Sequence, residues 1–73
     1  MSHMVQVNAP MVGKITSINA KVGAFVKKND VLITLEAMQM QFKVYAPNNG
    51  EVSAINVSFG DIVNTETVMV ILK

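Results

Sequence analysis

The sequence predicts an all-β domain made of two similar halves, and two observations lead to this prediction. Shifting the 73-residue chain by 37 positions aligns its Ala-Pro pairs, its four glycines and its apolar positions without a gap. The segments between these markers are short and rich in valine and isoleucine, which favour strands. No window of about ten residues has a convincing helical period. We therefore expect about four short strands per half, with the halves related by a pseudo-two-fold axis around one shared core.

Each half is predicted to repeat one order of strands and turns. The expected strands are 5–7, 15–18, 31–35, 42–44, 52–55 and 68–72. The runs 31–35 and 68–72 are almost continuously apolar, which is typical of strands at a sheet centre or buried on both faces. A turn is expected after each Ala-Pro pair, closed by Gly13 or Gly50, and Asn49-Gly50 is a hairpin-type dipeptide. A second turn in each half is expected at Gly23 and Gly60, which can adopt positive φ.

The stretch from Val31 to Tyr45 contains no glycine or proline, yet it is too long for one ordinary strand. The repeat resolves this, because the second half ends at Lys73, which corresponds to Glu36. The chain is therefore predicted to reverse within residues 36–41, with Met38-Gln39 at the tip. The same symmetry places the two chain ends together, at the pole opposite the tip.

Composition restricts the classes of function. The net charge is +1 and the chain has no arginine, so we expect no nucleic-acid partner. No apolar stretch approaches the roughly 20 residues of a membrane span, and we expect no membrane insertion. Cysteine is absent and the single histidine is His3, so no metal site is expected. The lack of cysteine and of a signal peptide favours a cytoplasmic location or an organelle matrix.

The first four residues, Met1-Ser2-His3-Met4, are typical of an expression remnant rather than of a folded element. The domain is accordingly expected to span residues 5–73.

Several motifs along the chain resemble one family. They run in the order Ala-Pro-x-x-Gly, Val-Gly, Asn-Asp-Val-Leu, Leu-Glu-Ala-Met-x-Met and again Ala-Pro-x-x-Gly. This pattern resembles the biotinyl domains, the biotin carboxyl carrier proteins or domains of biotin-dependent carboxylases, decarboxylases and transcarboxylases. The resemblance implies a flattened β-barrel, or barrel-sandwich hybrid, of two four-stranded antiparallel sheets. It also implies a carrier domain or subunit of a multi-component enzyme rather than a catalyst.

In the family, a lysine between two methionines is joined to biotin by biotin protein ligase. The biotin then swings between biotin carboxylase and carboxyltransferase domains or subunits, so these and the ligase are the implied partners. Gln39 occupies the position of that lysine, and the resemblance makes it the biotin attachment position. The family role of ligase and partner recognition is carried onto the flanking residues Glu36, Ala37, Met38 and Met40.

Gln39 sets the expectation for this chain apart from that for the family. Its terminal nitrogen belongs to a primary amide, whose lone pair is delocalised into the carbonyl, so it is not the nucleophile that an amine is. We therefore expect no biotin on this chain. Two origins of Gln39 stay open, an engineered replacement of lysine and a natural carrier that has lost biotin.

Three other classes of function fit the sequence to different degrees. A natural biotin-less interaction module of the same fold fits Gln39. A lipoyl-type carrier fits less well, because lipoyl domains usually have Asp-Lys-Ala at the tip. A stand-alone enzyme is disfavoured, because residues 5–73 contain no histidine or cysteine and their acids are scattered.

Overall fold

The computed structural model describes residues 4–73, and these form eight strands and no helix. Residues 1–3 of the predicted expression remnant lie outside the described part of the chain. Met4 is described and is exposed. The strands are β1 Val5–Asn8, β2 Gly13–Ile18, β3 Phe25–Val26, β4 Val31–Ala37, β5 Met40–Tyr45, β6 Gly50–Ile55, β7 Ile62–Val63 and β8 Val68–Leu72.

The strands form two four-stranded antiparallel sheets, one in the order β1-β8-β6-β3 and the other in the order β5-β4-β2-β7. Exchanging each strand for its repeat partner, β1 for β5, β2 for β6, β3 for β7 and β4 for β8, turns one order into the other. The barrel is elongated and flattened, with extents of 40 × 20 × 17 Å. These findings confirm the predicted fold and its two-fold symmetry.

The core obeys the same symmetry. Every buried apolar residue has a repeat partner, 37 positions away, that is also buried. The pairs are Val7 and Val44, Ala9 and Ala46, Ile15 and Val52, Ala20 and Val57, Val26 and Val63, Leu32 and Met69, Ile33 and Val70, and Leu35 and Leu72. Both sheets therefore contribute matched inner faces to one core, as aligned sheet packing requires.

Bulges explain the continuous apolar runs in β4 and β8. The register between β4 and β5 shifts between Val31 and Ile33, which makes Leu32 the extra residue. Leu32 and Ile33 are consecutive and both are fully buried, whereas regular alternation would turn one of them outward. Met69 is the equivalent extra residue in β8. The central strands thus bury two neighbours in succession.

Gly13 and Gly50 have a different role from the one predicted. Both begin strands, and neither has positive φ. Asn49-Gly50 is therefore not the centre of a hairpin turn. A Cβ at Gly50 would lie 2.9 Å from the carbonyl oxygen of Lys73, so glycine is required by close strand approach. The predictions for Gly23 and Gly60 are confirmed, since both have φ of 90°.

The first and last strands, β1 and β8, lie side by side, as the symmetry predicted. Val5 in β1 pairs with Leu72 in β8, and Lys73 exchanges two 2.9 Å backbone hydrogen bonds with Glu51. The fold leaves the reversal between β4 and β5 as the element that links the two halves.

Candidate functional site

The link between the halves is a two-residue hairpin turn. Ala37 and Met40 form the last pair of the β4–β5 ladder, and Met38 and Gln39 connect them. The φ angles of Met38 and Gln39 are 52° and 63°. Positive φ at both central residues is the signature of a type I′ turn, which suits the twist of antiparallel strands. The predicted reversal and its tip are both confirmed.

The side chains of this turn point into solvent. Met38 is 79% exposed and Met40 is 59% exposed, and Gln39 between them is exposed as well. Exposed apolar side chains are common on protein surfaces, and this chain exposes others, such as Phe25 and Phe59. The position of the two methionines on either side of the turn residue, rather than their exposure alone, sets them apart. The tip therefore presents one carboxamide flanked by two thioethers.

The remaining predicted site residues lie directly behind the tip. Ala37 is half-buried and closes the turn, and Glu36 is exposed on the next rung, opposite Gln41 of β5. All five residues proposed for the site are thus brought together at one end of the barrel. What each of them recognises stays a prediction.

Close packing from β2 supports the arm of the hairpin. A Cβ at Gly13 would lie 2.9 Å from the carbonyl oxygen of Glu36 and 3.5 Å from the Cβ of Ala37. The absence of a side chain at position 13 therefore lets β2 approach the hairpin at its base. Gly13 was predicted as a turn residue, and its part in supporting the site was not foreseen.

Sequence reasoning also missed a row of side chains behind the tip. Lys14 of β2 pairs with Glu36 of β4 on one side and with Ile62 of β7 on the other. Directly paired residues project from the same face of a sheet. The Glu36 carboxylate is therefore opposite an amine, and the row continues through Gln41 on β5. A signal for this pair was present in the repeat, because the equivalents of Lys14 and Glu36 are Glu51 and Lys73, which is the same opposite-charge pair with the charges exchanged.

One side-chain hydrogen bond connects Gln41, at the end of this row, to Thr16 of β2. The Thr16 hydroxyl donates to Oε1 of Gln41 over 2.8 Å, across the intervening strand β4. The nearest amine in sequence after the tip is Lys43, which lies along β5 and pairs with Thr34. This agrees with the predicted strand over residues 42–44, and it places Lys43 away from the turn. The turn itself therefore offers no amine.

A two-fold β-barrel, an exposed turn joining its halves and neighbouring first and last strands are the arrangement expected of a carrier domain. Sequence comparison is consistent with this class. The profile of the family described as "Biotin-requiring enzyme" matches residues 5–72. The chain belongs to this family, and it is a carrier domain rather than a catalytic one.

One curated relative is a subunit of a decarboxylase. The chain is 55% identical over 40 residues to the glutaconyl-CoA decarboxylase subunit gamma of Acidaminococcus fermentans. That match covers 55% of this chain and 28% of the relative, so the chain spans well under half of that subunit.

Solved structures of other proteins share the fold. The urea carboxylase of Kluyveromyces lactis superposes with a TM-score of 0.91 at 25% identity, over 100% of this chain and 6% of that one. The lipoyl domain of the 2-oxoglutarate dehydrogenase complex from Azotobacter vinelandii superposes with a TM-score of 0.80 at 21% identity, over 94% and 95% of the two chains. The lipoyl likeness establishes the fold alone.

Within residues 4–73, no helix is long and apolar enough to cross a membrane.

Proposed function

We propose that residues 5–73 form the biotin carrier domain of a biotin-dependent carboxylase or decarboxylase, with residue 39 as its attachment position. The observation that carries this proposal is the register of the hairpin. Residue 39 stands in the exposed type I′ turn, between two exposed methionines, and the ladder closes directly behind it. An attached group at this position would extend from the end of the barrel into solvent.

Gln39 does not fit covalent biotin. Attachment to the carboxyl group of biotin requires a nucleophilic amine on a flexible side chain, and a primary carboxamide is not one. Lys43 is no substitute, because it lies within β5 opposite Thr34. The chain as it stands is accordingly proposed to carry no biotin, while retaining the shape that presents it.

The proposed partners follow from the same assignment. They are a biotin protein ligase and the biotin carboxylase and carboxyltransferase domains or subunits of the parent enzyme. Support comes from the relatives, which are named as a urea carboxylase and as a subunit of a decarboxylase. The pairing of β1 with β8 at the pole opposite the turn also suits a domain that presents its cargo from the turn.

Incubation with biotin protein ligase, ATP and biotin, followed by intact-mass measurement, tests the proposal. The unaltered chain should show no change in mass, and Gln39→Lys should gain one biotinyl group. Gln41→Lys is the matched control, because it places an amine two residues further along, on β5, and it should stay unmodified. Biotinylation of the unaltered chain, or equal labelling of both variants, would refute the assignment.

One alternative has a specific observation in its favour. Gln39 is what a biotin-less interaction module of this fold would carry. Such a module should capture a biotin carboxylase or carboxyltransferase subunit with the same affinity whether residue 39 is glutamine or biotinylated lysine. A carrier should instead restore carboxyl transfer only after Gln39→Lys and biotinylation.

A further inference from the structure

A bulge in β2 directs the side chain of Thr16 across the outer face of its sheet. Ile15 pairs with Leu35, but Ser17 pairs with Thr34, so Thr16 is the extra residue on its strand. Ile15 is fully buried and Thr16 is half-buried. Bulges re-aim side chains and are frequent beside functional sites.

The hydroxyl of Thr16 lies 2.8 Å from Oε1 of Gln41 and 3.3 Å from the backbone oxygen of Thr34. A hydroxyl has one hydrogen to donate, and the shorter distance assigns it to Gln41. The bond therefore spans from β2 over β4 to β5. We call this Thr16–Gln41 bond the strap.

The strap acts where the hairpin has least support. β5 is an edge strand, so its ladder is paired only with β4. Gln41 is the residue directly after Met40, which closes the turn. A restraint on Gln41 therefore limits how far the outer arm of the hairpin can move away from the barrel.

Within residues 4–73, the other pole has no hydrogen bond equivalent to the strap. Ser53 is the repeat partner of Thr16 and occupies the equivalent bulge, since Val52 pairs with Leu72 and Ala54 with Ile71. Met4 is the repeat partner of Gln41, and a thioether is only a weak hydrogen-bond acceptor. The symmetric fold thus forms with the strap at the hairpin end alone.

We infer that Thr16 is a positioning residue for the carrier tip, holding the β5 arm so that residue 39 is presented in one orientation. This inference rests on the proposed function in its last step, because orientation matters only when a partner must engage the tip. Its first step, restraint of β5, is independent of that function.

Amide hydrogen exchange tests the restraint on the unaltered background. Thr16→Val keeps the shape of the side chain and removes the donor, so β5 amides near the turn should exchange roughly two- to tenfold faster. Ser53→Ala removes the equivalent hydroxyl at the other pole and should leave these amides unchanged. Thr16→Ser should retain slow exchange. Gln41→Met introduces the residue found at the equivalent position of the other pole, and its β5 amides should exchange as fast as those of Thr16→Val. This variant provides the test if Thr16→Val does not fold.

Ligase kinetics test the positioning step on the Gln39→Lys background. Adding Thr16→Val should lower kcat/KM for biotinylation roughly two- to tenfold, because a mobile tip is engaged less often in the productive orientation. Thr16→Ser should restore it and Ser53→Ala should not change it. Exchange that does not respond to Thr16→Val overturns the strap. Faster exchange with an unchanged kcat/KM overturns the inference that Thr16 positions the carrier tip. Absence of any labelling of Gln39→Lys counts against the proposed function and leaves the exchange result to decide the strap.

Discussion

Two residues of the tip hold a backbone conformation that their side chains disfavour. Met38 and Gln39 both lie in the left-handed region, at φ of 52° and 63°, where residues other than glycine lose roughly 1–2 kcal/mol each. Asparagine followed by glycine is the preferred pair for such a turn. The chain thus keeps a strained and exposed pair where a relaxed pair was available, which is typical of a site that is under functional constraint.

Met38→Asn should raise the free energy of unfolding by about 0.5–1 kcal/mol, because asparagine tolerates positive φ better than methionine. Urea denaturation measures the change. Met40→Asn is the control, since Met40 lies in β5 with ordinary strand geometry and should not be stabilised by asparagine. A loss of stability in Met38→Asn would show that Met38 makes a stabilising contact and that the turn stores no relievable strain.

The two-fold arrangement and the placement of the hairpin could be predicted from the sequence, because the repeat supplies what local propensity does not. Residues 31–45 have no turn-forming glycine or proline, and only the correspondence of Glu36 with Lys73 located the reversal. The bulges were not predicted. An apolar run such as Leu32-Ile33 shows no alternation, so it cannot reveal that an inserted residue turns both side chains inward.

The different roles of the glycines show a second limit of prediction from the sequence. Gly23 and Gly60 could be assigned to turns, because a positive φ requirement follows from the local pattern. The requirement at Gly13 comes instead from the carbonyl oxygen of Glu36 on a strand distant in sequence. Close approach between strands is a tertiary property, so it cannot be predicted from the residues next to position 13 in the sequence. The Thr16–Gln41 bond was hidden for the same reason.

At the scale of elements, β5 has the liability of an edge strand. Its outer backbone groups lack a neighbouring strand in the order β5-β4-β2-β7. Exposed lysines on edges discourage pairing with another chain. Lys43 lies in the middle of β5 and is partnered only on its inner side, by Thr34 of β4.

Lys43→Thr should accelerate aggregation, because it removes the charge from a strand edge while favouring β structure. Light scattering at a fixed concentration near the start of thermal unfolding measures the rate. Lys21→Thr removes the same charge from an exposed position outside any strand, and it should aggregate like the unaltered chain. Equal acceleration in both variants would assign the effect to net charge instead of the edge.

At the scale of the molecule, the two halves of a small chain build one core from equivalent positions, so that each buried residue of one half has a buried counterpart in the other. Leu35 and Leu72 are repeat partners at 0% and 1% exposure, one on each central strand. A domain of this size has a thin core, so each of these side chains contributes a large share of the stability. The symmetry predicts that the two positions are energetically alike.

Leu35→Ala and Leu72→Ala should each lower the free energy of unfolding by about 2–5 kcal/mol, through lost burial and an unfilled cavity. The two losses should agree within about 1 kcal/mol, which is within the usual variation between sites. Thermal and urea unfolding of both variants provide the comparison. A large loss at one position with a small loss at the other would mean that one half dominates the core and that the pseudo-symmetry is only geometric.

Peptide mapping of biotinylated Gln39→Lys is the measurement that tests the central claim most directly. The claim is that residue 39 alone occupies the attachment position of a carrier tip. After treatment with ligase, ATP and biotin, fragmentation should place one biotinyl group on residue 39 and none on Lys43 or Lys14. Biotin on either of those native lysines, or a variant that stays unmodified while folded, would contradict the account.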